Sequence, residues 1–218
     1  IDVLKKELLK TVKKFQDENL PAIEYYCDIT KKKQISDLGK YIKKNFGRLD
    51  ILVNNAGITL SDSSLDYSEK FWDKTNDVNI KAPFFLSQEC AKIMKLKKSG
   101  IIINITSINA EFAFPDNPSY QVSKAGLKQL TKSLSLDLAK FGIRVNSVGP
   151  GYFHTMMTNK SWDNIKRRKL ITNNTILGRW GEPKDLEGVI IFLASDASSY
   201  ITGQNIYIDG GWSVKGIK

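Results

Sequence analysis

Apolar residues along the chain recur at helical spacing in some stretches and run almost unbroken in others. Residues 3–17 carry Leu4, Leu8, Val12 and Phe15 on one stripe, interleaved with Lys5, Lys6, Lys10, Lys13 and Lys14, which predicts a helix with a solvated face. Residues 31–46 repeat the pattern at Ile35, Leu38, Ile42 and Phe46, and Gly47 is a fitting stop. A long helix is predicted over 68–97, with Ala82, Phe85, Leu86 and Met94 on its apolar side, and others over Ser119–Lys140 and Pro183–Ala194. Between them lie Ala22–Cys27, Leu49–Val53, Ile101–Ile105, Ile143–Val148 and Ile206–Ile208. These runs show little polar alternation, as in strands buried on both faces of a parallel sheet. Strand–helix alternation at this spacing predicts a doubly wound, Rossmann-like α/β fold. With no repeat, low-complexity tract or linker, residues 1–218 read as one domain.

In such a sheet, ligands bind outside the carboxyl ends of the strands. That rule singles out Asp28, Asn54–Gly57, Thr106-Ser107 and Gly149–Thr155, each directly after a predicted strand. Taken singly each is ordinary turn chemistry; together they would line one crevice.

Composition narrows the partners. The formal charge is +10, but only five of the 33 basic residues are Arg, and Lys is the poorer group for bidentate phosphate or base recognition. The lysines are scattered over helix faces, so nucleic acid is not an expected partner, and the charge bears on solubility and attraction for anions. Cys27 and Cys90 have no CxxC or Cys/His spacing for zinc and read as small buried hydrophobes in a reducing cytoplasm; no metal site is expected. The longest apolar stretch, near Gly188–Ala194, is far short of the ~20 residues that span a membrane, and nothing resembles a signal peptide.

The pattern that carries chemistry is Tyr120-Gln121-Val122-Ser123-Lys124 near the start of a predicted helix, where a spacing of four puts phenol and ammonium on one face. Ser107 precedes Tyr120 by thirteen residues, at the end of a buried strand. At this point the chain resembles the short-chain dehydrogenase/reductases, from about residue 3 to residue 213. Asn54-Asn55-Ala56-Gly57 is similar to the strand-end signature of that family, Asn79 to its helix asparagine, Ser107 to its catalytic serine, and Tyr120 with Lys124 to its catalytic pair. Pro150-Gly151 with Thr155, Gly178–Pro183, and Ile201–Gln204 with Asp209-Gly210-Gly211 match its C-terminal half.

The resemblance implies hydride transfer between NAD or NADP and a secondary alcohol or ketone. A cation ~4 Å from a phenol at an effective dielectric of ~20 is worth about 4 kcal/mol, roughly three pKa units, so Lys124 is expected to ease ionisation of Tyr120, with desolvation opposing it. Ser107 would hydrogen-bond the substrate oxygen. In the family, Lys124 also binds the nicotinamide ribose and Asn79 helps hold a proton-relaying water. The resemblance further implies adenine contacts from Asp28 and Ile29, and an adenosine-ribose wall from Asn54, Asn55, Ala56 and Gly57. Pro150, Gly151, Phe153 and Thr155 would border the nicotinamide. His154 reads as a surface or packing residue.

The family's opening glycine-rich turn, which cradles the pyrophosphate, is not found in this chain, and the residue that selects NAD over NADP is missing with it. About one βαβ unit, on the order of 30–40 residues, is expected to precede the sequence as given. The predicted lid, Met156–Leu177, carries Lys160, Lys166, Arg167, Arg168 and Lys169, which suits a polar or anionic small-molecule substrate. Gly178–Pro183 resembles members acting on sugars, sugar acids or polyols. The alternatives are reduction of a 3-oxoacyl group on an acidic carrier protein and, from another class, a catalytically idle binding protein. Family assembly implies a homotetramer in which the helices of 68–97 and 119–140 pair across one axis and the C-terminal segment packs across another, with Trp212 and Ile206–Ile208 available there or for the core.

Overall fold

The computed structural model describes residues 1–215. Four strands form a wholly parallel sheet in the order β1 (Ile51–Asn54), β2 (Gly100–Ile105), β3 (Ile143–Pro150) and β4 (Asn205–Ile208). The unbroken apolar runs cause this, because each strand has to be covered on both faces. Ile102 of β2 and Val145 of β3 face one layer, with Cys27, Leu86, Cys90, Met94 and Leu134. Ile103 and Val148 face the other, with Leu193, Ile201 and Ile206. Successive strand residues thus serve opposite layers, as period-two geometry requires.

The first layer is built from α2 (Lys32–Asn45), α4 (Ala82–Met94) and α5 (Pro118–Leu138), with α3 (Glu69–Asn76) packed on α5; α1 (Lys5–Asp17) precedes them in the chain. The stripe of α1 is narrower than its sequence implies: Leu8 and Val12 are buried, Leu4 and Phe15 exposed. The expected helix over 68–97 is interrupted, since α3 and α4 are joined by a π-helical turn at Asp77–Lys81. Such widened turns are frequent at functional sites, and Asn79 lies within this one. The second layer has α8 (Glu187–Ala194). Between β3 and α8, two helices not foreseen from the sequence, α6 (Asn159–Asp163) and α7 (Ile165–Asn174), form the predicted lid segment.

The expected strand Ala22–Cys27 shrinks to a single parallel bridge between Tyr26 and Asp2, with the Cys27 N–H donating to the Asp2 carbonyl at 3.1 Å. Ile23 is exposed and finds no neighbouring strand among the described residues, so nothing there compensates its backbone for extending. Gly142 closes the turn before β3 with φ +70°; a Cβ there would fall 2.1 Å from the Lys98 carbonyl oxygen, so only glycine fits. Ile206 and Ile208 pack on the core, and Trp212 joins an aromatic cluster with Phe112, Phe114 and Tyr152. Both cysteines are buried free thiols, and burial pushes Cys90 up to about 12. Among the described residues no helix is long and apolar enough to cross a membrane, and no cluster of potential metal ligands occurs.

Candidate active site

The carboxyl ends of β1, β2 and β3 meet the N-terminal third of α5. Ser107 follows β2 in extended backbone and caps the short helix Ile108–Ala110, its hydroxyl accepting from the Asn109 N–H at 3.2 Å. Pro118 opens α5 at a position where its missing N–H costs nothing. One turn in stands Tyr120, half-buried, and one turn further Lys124, only 4% exposed. The Lys124 ammonium lies 5.6 Å from the Tyr120 ring centroid and donates to the Ile105 carbonyl at 2.7 Å.

Asn79 ties this corner together. Its Oδ1 accepts from the Ile58 N–H at 2.9 Å, and its Nδ2 donates to the Ile58 carbonyl at 2.9 Å and to Ser123 Oγ at 3.1 Å. Ser123 in turn donates to the Tyr120 carbonyl at 2.7 Å. The fully buried asparagine therefore clamps the loop after β1 to α5, with its whole carboxamide engaged by the chain.

Electrostatics here differ from the sequence expectation in one respect. Burial pushes the Tyr120 phenol above its ordinary value, with Ser107 drawing it back. Lys124 was expected to lower it, but the ammonium sits over the ring and is itself strongly desolvated, which brings Lys124 down to about 8. The cost of burying the two groups outweighs their mutual help.

The corner fits a polyhydroxylated ligand such as a ribose. An ammonium has three donors, and among the described residues one of them is engaged, at Ile105. Beside it, a Cβ on Gly57 would lie 3.4 Å from Lys124 Nζ and 3.5 Å from Asn79 Oδ1, so the absent side chain leaves a recess against both.

The other predicted positions are arranged less uniformly. Asn55 and Ala56 are exposed and Gly57 half-buried along the loop after β1. Asn54 turns inward, donating to Ser87 Oγ at 3.0 Å and to Asn104 Oδ1 at 2.8 Å, so its side chain braces the core and does not line the crevice. The Asp28 carboxylate accepts from both the N–H and the hydroxyl of Thr30; the hydroxyl, chiefly, holds it below its ordinary value. Ile29 packs against the core beside it. Half-buried Pro150 ends β3 and half-buried Gly151 follows it, and Phe153 pairs with Gly181 through Tyr152 and His154 backbone groups, which leaves its own N–H on the other side. A Cβ on Gly181 would fall 2.7 Å from the Phe153 ring. Thr155 is exposed and shares a capping box with Thr158. His154 stacks on Trp162, with ring centroids 4.1 Å apart, in keeping with a packing role.

Sequence reading missed Ser123, whose signal was a polar residue inside the Tyr–Lys turn.

Residues 1–213 match the protein family described as Enoyl-(Acyl carrier protein) reductase. The chain is 39% identical over 212 residues to the 3-oxoacyl-[acyl-carrier-protein] reductase FabG of Thermotoga maritima, covering 96% of this chain and 85% of that protein. It is 36% identical over 200 residues to the gluconate 5-dehydrogenase of Gluconobacter oxydans, covering 92% and 78%. Among solved structures, a gluconate 5-dehydrogenase from Burkholderia cenocepacia in complex with NADP and tartrate superposes with a TM-score of 0.95 at 31% identity, covering 99% of this chain and 85% of that one.

Proposed function

The chain belongs to the short-chain dehydrogenase/reductase family, and from that premise we propose that it interconverts a secondary alcohol and a ketone on a sugar acid, using NAD or NADP. The observation that carries the chemistry is the enclosed Lys124 ammonium one turn after Tyr120, with donors to spare beside the Gly57 recess. Sugar acids are favoured because gluconate dehydrogenases recur among the similar proteins and structures.

In this reading Lys124 and Asn55–Gly57 would border the cofactor's ribose groups, with Asn54 bracing that loop from the core, Asp28 and Ile29 would border the adenine, and Pro150, Gly151, Phe153 and Thr155 the nicotinamide, with the Phe153 N–H offered to its carboxamide. When bound, the nicotinamide would supply or accept the hydride at the carbinol carbon. Tyr120 holds or releases the proton at the substrate oxygen, and the Ser107 hydroxyl donates to the same oxygen and fixes its distance from the phenol. Lys124 orients the ribose by its free donors, and its charge favours the ionised phenol at the moment of transfer. Asn79 acts as a positioning residue, holding Ile58 and Ser123 on either side of the pair and the place for a relayed water. The presence of all four residues in one corner speaks against an idle binding protein.

A second reading, reduction of a 3-oxoacyl thioester, has the Thermotoga relative and the net charge of +10, suited to an acidic carrier, in its favour. Assaying gluconate-type acids and a 3-oxoacyl thioester with each cofactor separates the two: the proposal expects turnover of the acid and little of the thioester, and the reverse result refutes it.

The same reading includes a cytoplasmic homotetramer. Two buried free thiols are in keeping with a reducing compartment. Exposed Val122 and Leu136 on α5, and Ile191 and Phe192 on α8, are in keeping with helix pairing across two axes. Light scattering at four times the protomer mass is the expected result.

A further inference from the structure

The Asp209-Gly210-Gly211 turn has no part in the chemistry described so far, yet its geometry is closely fixed. Directly after β4 the Asp209 carboxylate accepts from the Gly211 N–H and the Ser213 N–H, each at 2.9 Å, and the Trp212 N–H donates to the Asp209 carbonyl at 3.2 Å. Gly210 and Gly211 carry the turn at φ +63° and +81°, left-handed conformations that side chains disfavour. The turn delivers one large side chain, the half-buried Trp212 indole.

That indole packs against the loop that joins Ser107 to Tyr120. Its ring lies edge-on to Phe112 at 5.5 Å between centroids, and 5.4 Å from Phe114. Tyr152, just past the end of β3, closes the cluster at 5.9 Å from Trp212 and 6.2 Å from Phe114. The rest of this loop faces water, with Ala113, Pro115 and Asp116 exposed. From the other side Gln121, the residue after Tyr120, grips the same loop. Its Oε1 accepts from the Phe114 N–H at 3.2 Å, and its Nε2 donates to the Phe114 carbonyl at 2.6 Å. Nearer Ser107, the Phe112 N–H donates to the Ile108 carbonyl at 3.0 Å, and the Tyr207 hydroxyl of β4 donates to Glu111 at 2.9 Å. The segment after Ser107 is thus held between α5 on one side and β4 with its following turn on the other.

We propose that Trp212 is a positioning residue for the reaction: through Phe112 and Phe114 it fixes the loop behind Ser107, and so sets the Ser107 hydroxyl against the Tyr120 phenol at the substrate oxygen. This rests on the alcohol–ketone reading above, whichever substrate carries the carbinol. Tilted and edge-on rings at these separations attract each other beyond the area they bury, and they hold the loop at one inclination. The hydroxyl and the phenol stand at opposite ends of that loop, so loosening it changes their separation. A misplacement of about 1 Å is enough to cost about 100-fold in rate. The effect of Trp212 on turnover therefore runs through Ser107.

The test is a double-mutant cycle at saturating cofactor. It measures kcat and cofactor affinity for Trp212→Leu, Ser107→Ala and the two together, with Trp212→Phe as the conservative variant and exposed Val214→Ala as a control from the same turn. Trp212→Leu is expected to lower kcat roughly 10–100-fold in the unmutated background and by less than about threefold once Ser107 is alanine, with cofactor affinity within about threefold throughout. Trp212→Phe should recover most of the loss, and Val214→Ala should leave kcat unchanged. An equal loss of kcat in both backgrounds, or a loss of cofactor affinity that matches it, overturns the proposal, because general loosening of the fold does either. If Trp212→Leu does not fold, Phe114→Leu opens the same contact from the loop side and must show the same dependence on Ser107. Rates are read on a sugar acid or, where the unmutated enzyme prefers it, on a 3-oxoacyl thioester, so loss of the sugar-acid reading leaves the cycle to decide for or against Trp212. An unmutated enzyme that turns over neither removes both.

Discussion

Replacing Lys124 by Met should make the protein more stable and nearly inactive. At pH 7 the folded chain holds an ammonium whose pKa burial has brought from 10.5 to about 8, which costs the native state roughly 3 kcal/mol. Against this stands the hydrogen bond to the Ile105 carbonyl, worth about 1.5 kcal/mol as a charged donor. Methionine fills a similar volume without a charge, so Lys124→Met is expected to gain roughly 1–2 kcal/mol. For a chain of this length that raises Tm by about 3–6 °C. The pH dependence follows from the sign of the shift. The folded-state pKa lies below the unfolded one, so between about 8 and 10.5 the unfolded chain binds more protons and the unmutated protein gains stability as pH rises. The advantage of the variant should therefore shrink by roughly 2 kcal/mol between pH 7 and pH 10. Calorimetry of the cofactor-free protein at both pH values reads this, and kcat should fall by at least about 100-fold. A variant that melts at or below the unmutated protein at pH 7, or whose advantage is the same at pH 10, refutes the reasoning.

Other consequences of the same geometry can be measured separately. Cofactor affinity should weaken as pH rises through about 8, where Lys124 loses its proton, and titration calorimetry across that range checks it. Asn79→Ala leaves the half-buried Ile58 N–H and carbonyl without their Asn79 partners, so denaturant unfolding should show a loss of about 1–3 kcal/mol together with a lower kcat. Gly181→Ala forces the Phe153 ring to move and should destabilise by about 1–3 kcal/mol, read as a lower Tm. Ser107→Ala should lower kcat by roughly 100-fold with cofactor affinity unchanged.

The sheet was legible because its strands are short apolar runs that tolerate no other environment; β1, β2, β3 and β4 all fall within a residue or two of the predicted runs. The Tyr120–Lys124 pair was legible because helical spacing alone puts the two on one face. Ala22–Cys27 was not, since an extended run becomes a strand only beside a partner, which sequence patterning does not report. The π turn at Asp77–Lys81 was not legible, because a single widened turn offsets the apolar periodicity by only about one residue. Asn54 looked like a crevice residue from its place after a strand; its partners Ser87 and Asn104 are far away in sequence, and only the fold turns it inward. The direction of the Tyr120 shift depended on how deeply the pair is enclosed, a three-dimensional quantity that a Coulomb argument on spacing omits.

The central claim is that Tyr120 moves the proton while the rest of the corner holds the cofactor. The most direct test is the turnover of Tyr120→Phe on a sugar acid, with cofactor affinity measured in parallel by quenching of intrinsic fluorescence. Turnover lost by several orders of magnitude with affinity within a few-fold of the unmutated enzyme is the predicted result. A near-normal rate would contradict it and remove Tyr120 from the reaction.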